Sequence, residues 1–308
     1  MTGASRGLGR AAAEQLLRGH PELHLLIPVR GAAAGRLDKE LASATGNPNV
    51  STLRCDLASL DDIRATAAEI GRLLDQGAIP PLGGFIGNAG TQWAARTHST
   101  VDGYETTFAV NVLANYLFLR LLHDRFGAPA RLLVVGSDTH FGDFRHNMGI
   151  MPAPRWEELN RLAAPGAGLR DDSIAEGRTA YTTSKLAVVY LVHAFARRLP
   201  DGVDIYTYDP GYVHGTDLFR DAPRRIRAVS RTVGYLLRAT PVATGTGTAG
   251  RLLAQAAVGP RPGDSGAYLD RGKAAPSSGA SYDRDREEQL WAGAAAFCAL
   301  NTEDSALS

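Results

Sequence analysis

Cysteine and lysine are scarce in this chain of 308 residues, its charge is balanced, and no apolar run is long. Two cysteines, Cys55 and Cys298, exclude a disulfide framework and a cysteine-based zinc cluster, and they fit a reducing, cytoplasmic setting. The 33 basic and 32 acidic residues leave a net charge of +1, too little for a global field that would draw the chain onto nucleic acid or an anionic membrane. The longest apolar stretch, Leu186 to Ala196, is interrupted by His193 and falls short of the roughly 20 residues that span a bilayer. No basic segment followed by an apolar one opens the chain, so secretion is not indicated. The histidines four apart, His20 and His24, flank Pro21, where no helix would align them, and no metal site is expected. Among the bases only Lys39, Lys185 and Lys273 are lysines, so a lysine at a motif position draws notice.

What is present is an ordinary globular composition, 44% hydrophobic and 21% charged, enough to build a sizeable core. Strand-length apolar runs alternate with helix-period segments, the signature of βα units around a parallel sheet with helices on both faces. The runs are Leu23 to Val29, Val50 to Arg54, Gly84 to Ile86, Arg131 to Val135, Val203 to Thr207 and Gly266 to Leu269. Helices are predicted over Gly9 to Arg18, Leu60 to Leu74, Val101 to Phe126, Thr182 to Arg198, Ala243 to Ala257 and Arg284 to Leu300. The rhythm fits one domain over residues 1–308, with an irregular insertion at about 138–180 and a second irregular region at about 212–240. Loops at the carboxyl ends of strands form the ligand crevice in such sheets, so both are candidate substrate walls.

The chain opens Thr2-Gly3-Ala4-Ser5-Arg6-Gly7-Leu8-Gly9 and then enters a helix. Glycines at 3, 7 and 9 let a turn approach a pyrophosphate held by amides at the helix N-terminus; a flexible cap explains the same residues less specifically. Where a dinucleotide fold selects the free ribose hydroxyl of NAD with Asp or Glu, this chain has Arg30, which favours the 2′-phosphate of NADP, with Arg6 a second contact. Either could equally be a solvated surface arginine. Asp56 and Leu57 could meet an adenine, though Asp at a strand end is also a common cap. Asn88-Ala89-Gly90 would let backbone approach a cofactor, or simply turn. Asn111 stands inside an apolar helical segment, where a polar residue needs a partner. Tyr181 and Lys185 are four apart and share a helix face.

Taken in order, Gly3-x-x-x-Gly7-x-Gly9, Asn88-Ala89-Gly90, Asn111, Ser137, Tyr181-x-x-x-Lys185 and Pro210-Gly211 resemble the short-chain dehydrogenase/reductase family over nearly the whole chain. The resemblance implies a Rossmann-type doubly wound parallel sheet and NADP(H) in preference to NAD(H). It makes Tyr181 the general acid/base, Ser137 the group that polarises the substrate carbonyl, Lys185 the ribose-binding cation and Asn111 the holder of a relay water. Gly3, Ser5, Arg6, Gly7, Leu8, Gly9, Arg30, Asp56, Leu57, Asn88, Ala89, Gly90, Tyr181, Lys185, Pro210, Gly211, Val213 and Thr216 would line the cofactor. A lysine ammonium and an oxidised nicotinamide beside Tyr181 are expected to lower its pKa.

Asp102 to Phe108, Arg30, Thr216 to Arg220 and the long insertion resemble most closely the branch of retinol dehydrogenases and protochlorophyllide reductase. The latter carry a cysteine soon after the Tyr/Lys pair, where this chain has Leu186-Ala187-Val188. The leading reading is therefore an NADPH-dependent carbonyl reductase, reversible as an alcohol dehydrogenase. Its small-molecule substrate would be bulky and largely apolar, a secondary-metabolite ketone rather than a sugar. His140, Phe141, Phe144, Met148, Met151, Trp156, Tyr212 and Phe219 would wall its pocket, although each could be plain core. Reduction of an activated C=C bond and a non-catalytic NADP-binding regulator are the alternatives, the second disfavoured by the full set Asn111, Ser137, Tyr181 and Lys185. The helices Val101 to Phe126 and Thr182 to Arg198 match those that form homodimer interfaces in many relatives. One departure is large: the glycine loop should follow a strand, yet only Met1 precedes Thr2. That first strand is read as lost upstream, and a chain complete without it should suffer in stability and cofactor affinity.

Overall fold

The computed structural model describes residues 1–147, 149–166, 174–213 and 243–300. Short β-branched and apolar runs become parallel strands wherever helices cover both of their faces. Strands β1 (Leu25–Val29) and β2 (Val50–Arg54) pair in parallel. A second ladder orders β3 (Leu82–Gly87), β4 (Phe126–Val135), β5 (Val203–Asp209), β8 (Tyr268–Asp270) and β9 (Lys273–Ala275), the last pair antiparallel. A small parallel pair, β6 (Tyr212–Val213) and β7 (Ala243–Thr244), stands apart.

Met1 and Thr2 join the two ladders. The Met1 nitrogen donates to the Leu26 carbonyl at 2.7 Å, and the Thr2 N–H donates to the Ile86 carbonyl at 2.9 Å. Thr2 forms a single parallel bridge with Gly87. The place expected for a first strand thus holds two residues, enough to fix the spacing of β1 and β3 without a continuous ladder.

Helices α1 (Gly7–Gly19), α2 (Leu37–Thr45) and α9 (Thr246–Val258) cover one face; α3 (Leu60–Asp75), α5 (Ala114–Leu122) and α8 (Ile174–Ala196) cover the other. Strand β4 shows how the sequence builds the two cores. Leu132 and Val134 enter one and Leu133 and Val135 the other, the period of two that a strand imposes. From Leu186 to Val192, helix α8 is apolar on all sides because it is buried on all sides. Its outer flank is covered by α10 (Arg284–Phe297), whose Trp291 packs on Tyr116 and Phe195 at 5.2 and 4.9 Å between ring centroids, with Arg120 and Arg198 over its ring. Among the described residues no helix is long and apolar enough to cross a membrane.

Several elements differ from expectation, among them α8, which begins at Ile174 and not Thr182, and β4, which begins at Phe126 where a helix was predicted to end. Helix α2 was not foreseen, its apolar stripe reduced to Leu37 and Leu41. The segment predicted helical from Val101 begins at Thr106, because the Glu105 carboxylate caps the N–H groups of Thr107 and Phe108 at 2.9 and 2.6 Å. Between α4 (Thr106–Phe108) and α5, residues Ala109–Leu113 form a π-helical turn, a feature frequent at functional sites. The insertion folds into a 3-10 turn over Asp138–Phe141, α6 (Phe144–Asn147) and α7 (Leu159–Ala163).

The seating of α1 depends on Gly250 of α9, where a Cβ would lie 2.5 Å from Ala11 Cβ and 2.8 Å from the Ala12 nitrogen. Gly250→Ala should cost about 1–3 kcal/mol in urea unfolding. Gly247→Ala on the same helix meets open space and should be neutral or stabilising by up to ~1 kcal/mol.

Candidate active site

The glycine loop is locked from behind and open in front. At Gly3, with φ +68°, a Cβ would fall 2.7 Å from Asn88 Nδ2 and 2.9 Å from the Ala89 backbone; at Gly9 it would fall 2.1 Å from the Gly3 carbonyl. Only glycine permits this interlock. Asn88 Nδ2 donates to the Thr2 and Gly3 carbonyls at 3.2 and 3.1 Å, and the Ala89 N–H donates to Thr2 Oγ1 at 3.0 Å. Gly7, also at positive φ, has nothing within 4 Å of where its Cβ would stand. Helix α1 starts there with no side-chain cap at Arg6 and no acidic residue in its first turn. Its first amides and the helix dipole therefore offer an anion a seat. Ser5 and Arg6 are exposed around this opening, while Leu8 turns into the core.

Three elements, the π turn, the end of β4 and α8, bring the predicted reactive quartet together. Asn111, in the π turn, donates to the Thr91 carbonyl at 3.0 Å and Ser184 Oγ at 2.9 Å, and its Oδ1 accepts the Thr91 N–H at 2.8 Å. Its main-chain carbonyl accepts from Asn115 at 2.9 Å. The Asn111 side chain thus pins the Gly90 loop to α8 rather than presenting a free amide to a relay water. A Cβ on Gly90 would stand 3.4 Å from Asn111 Oδ1 and 3.6 Å from Lys185 Nζ. Lys185, 5% exposed, donates to the Val135 carbonyl at 2.8 Å, and its Nζ lies 5.6 Å from the Tyr181 ring centroid. Burial pulls its pKa down to about 8, with Asp209 opposing.

Ser137 follows β4. Its hydroxyl donates to Asp138 Oδ1 at 3.2 Å and accepts from the Thr139 N–H and Oγ1 at 3.2 and 3.1 Å. Tyr181, 6% exposed, departs from the expected lowering. Burial pushes its phenol well above the ordinary value, the Asp138 and Asp209 carboxylates add to this, and only the Ser137 hydroxyl opposes. In the chain by itself, desolvation and two acids outweigh the one hydrogen bond that favours the phenolate.

The other expected contacts divide. Arg30 is exposed at the end of β1. Asp56 accepts the Ala58 N–H on Oδ1 at 3.1 Å, which leaves Oδ2 open to a further donor; Leu57 packs against the core. Gly211, at φ +68°, follows Pro210 beside Arg271, and Val213 is buried in β6. Thr216, Met148 and Phe219 lie outside the described residues.

His140 is not a substrate contact. It is 1% exposed, its Nδ1 bonds the Ser137 carbonyl at 2.7 Å, and its Nε2 accepts the Ser278 N–H at 3.1 Å. Trp156 packs edge-on against Tyr190 and belongs to the core below α8, and Met151 is buried. Phe141 stacks on His146, Tyr212 is half-buried and Phe144 is 77% exposed. Sequence reasoning missed Thr2, Thr91, Ser184, Asp138 and Asp209. A carboxylate directly after Ser137 and another closing an apolar strand were the available signals.

The model for short chain dehydrogenases matches residues 1–141. Polyprenol dehydrogenase of Mus musculus is 30% identical over 305 residues, covering 95% of this chain and 81% of that protein. A Streptomyces sp. (strain C5) protein carried under the name of a candidate daunorubicin C-13 ketoreductase is 30% identical over 300 residues, covering 96% and 90%. Retinol dehydrogenase 14 of Mus musculus is 31% identical over 257 residues, covering 79% and 69%. Among solved structures, the NADPH-bound carbonyl reductase from chicken fatty liver superposes with a TM-score of 0.58 at 17% identity, over 90% of this chain and 97% of that one, a likeness of fold.

Burial holds the His140 pKa down at about 4, against about 6.5 when unfolded. A depressed pKa contributes stability above the unfolded value that is lost as pH falls from about 6.5 toward 4. His140→Phe should cost about 1–3 kcal/mol at pH 7 by leaving the Ser278 N–H unpaired. It should also flatten the acid limb in urea unfolding measured at several pH values.

Proposed function

This chain belongs to the short-chain dehydrogenase/reductase family, in its retinol-dehydrogenase-like branch, and is an oxidoreductase; on that premise we propose that it transfers hydride between NADP(H) and the carbonyl or alcohol of a bulky, largely apolar substrate. The observation that carries this reading is the convergence of Ser137, Tyr181, a buried Lys185 and Asn111 at the carboxyl ends of β3 and β4, beside the open glycine loop.

The residues present fit the cofactor. The uncapped amides of α1 and the bare space at Gly7 suit its pyrophosphate, and Arg6 and Arg30 suit a 2′-phosphate. Lys185, beside Gly90, suits a ribose hydroxyl. When bound, the nicotinamide supplies or accepts the hydride at the substrate carbon. Ser137 and Tyr181 then divide the oxygen chemistry. Ser137 holds the carbonyl oxygen, and the Tyr181 hydroxyl donates the proton that the developing alkoxide needs. A phenol at its ordinary pKa of about 10 or above is a ready donor to an alkoxide but a poor base near neutrality. The buried Lys185 charge favours the phenolate that alcohol oxidation would require. Its Val135 tether keeps it in place.

For the substrate, support comes from the polyprenol, retinol and daunorubicin in the relatives' names and from Phe141, Phe144 and Tyr212 beyond Ser137. A secondary-metabolite ketone suits these better than a sugar. Self-association through α5 and α8 would have to use or displace α10, which lies on them.

Tyr181→Phe should lower turnover by about 10²–10⁴-fold or more while NADPH binding, read by fluorescence, is retained; Lys185→Met should damage both. Full activity in Tyr181→Phe contradicts the assignment. Arg30→Asp should weaken NADPH more than NADH, measured as the ratio of their KM values.

A further inference from the structure

A serine hydroxyl has one proton to give, and here Asp138 competes for it with the Tyr181 oxygen. Ser137 Oγ donates to Asp138 Oδ1 at 3.2 Å and receives two hydrogen bonds from Thr139. An ionised carboxylate only accepts, whereas a protonated one also donates. While Asp138 is ionised it holds the serine proton, and the Oγ lone pairs already receive Thr139, so Ser137 has nothing to give a substrate oxygen. A protonated Asp138 accepts far more weakly, and the serine proton is then free to turn to a carbonyl. A ketone oxygen accepts and never donates, so only the second arrangement polarises it.

Asp138 is placed where its charge is costly. The Gly136 N–H bonds the Tyr208 carbonyl at 2.8 Å, which brings the chain after β4 beside the end of β5 and Asp209. Asp209 is itself buried and accepts from Tyr268 Oη at 2.5 Å and the Gly211 N–H at 2.8 Å. From its own turn, Asp138 is faced by Ser137, while the His140 ring is turned to the Ser137 carbonyl and the Ser278 N–H. Tyr181 faces it from α8, Asp209 from β5, and Tyr268, Asp270 and Arg271 from the β8–β9 hairpin; Lys185 and Tyr208 face Asp209 behind it. Arg271 bonds Asp270 at 2.9 and 3.2 Å, which limits its help to Asp138. Burial first, then the Asp209 charge, lifts the Asp138 acid to about 7.

We propose that Asp138 is a positioning residue that sets the direction of the Ser137 hydroxyl: protonated, it releases the serine proton to a substrate carbonyl, and ionised, it reclaims that proton and slows carbonyl reduction. Asp138 makes no bond to substrate and its proton is not consumed. The proposal rests on the reading of Ser137 as the carbonyl-polarising group.

Two measurements test it. In the cofactor-free chain carrying aspartate labelled with ¹³C at its carboxyl, NMR should show a carboxyl titrating near neutrality that vanishes in Asp138→Asn. In kcat/KM for reduction of a hydrophobic ketone, the wild type should fall as pH rises past that midpoint, by about tenfold one unit above it. Asp138→Asn should lack that limb. Asp209→Asn removes a repelling charge and should move the limb to lower pH, a check that does not depend on the first variant folding. The Asp138→Asn effect should vanish in a Ser137→Ala background. An Asp138 carboxyl titrating in the ordinary range, or an unchanged limb in Asp138→Asn, overturns the gate with the reductase reading intact. Titration near neutrality with no carbonyl reduced at any pH overturns that reading and the gate with it.

Discussion

An ammonium held out of water constrains the whole site. Lys185 is buried with a backbone carbonyl as its close partner, and among the described residues no carboxylate stands within ion-pair distance of it. A buried charge is tolerated only where hydrogen bonds and neighbouring charge offset its lost hydration. Several features answer that requirement. Val135 ends β4 with its carbonyl turned to Nζ, Gly90 keeps the opposite side low, and Asp209 lends negative charge from the next strand. Asn111 then ties the Gly90 loop to the helix that carries the lysine. The scarcity of lysine elsewhere in the chain fits this. A compact ammonium suits a narrow buried position where the planar fork of arginine would not.

The two halves of the site are built by different means. The glycine loop is shaped by exclusion, with backbone so close to Asn88 and Ala89 that side chains at 3 and 9 cannot exist. The reactive half is shaped by polar satisfaction, each of Asn111, Ser137 and His140 spending its hydrogen bonds on neighbours that fix where the next group points. Cofactor approach needs a bare surface, whereas proton handling needs groups held at defined angles. The acids behind Ser137 and Tyr181 add a third element, a local negative field that raises the phenol's pKa.

Much of this was legible in the sequence because the signals were local. The strand runs, the glycine spacing and the Tyr181/Lys185 pair each need only a short window, and β2 falls where its apolar run predicts. Less legible were features fixed by distant partners. His140 read as a substrate residue because nothing nearby reveals the Ser278 N–H that occupies its ring. Trp156 read as a pocket wall although Tyr190, distant in sequence on α8, packs edge-on against it. Asp209 was missed because a carboxylate closing an apolar strand, although a signal, shows its burial only when the next strand is in place. Met1 and Thr2 bridging β1 and β3 could not be foreseen, since a two-residue segment has no periodicity to read.

The central claim is that this buried cluster moves hydride and proton, beyond merely retaining a nucleotide. NADPH consumption by the wild-type chain against a panel of hydrophobic ketones, with product alcohol quantified alongside, tests it most directly. The account predicts that at least one ketone is reduced with one NADPH oxidised per alcohol formed. NADPH that binds, by fluorescence, yet is not oxidised with any member of the panel would contradict it.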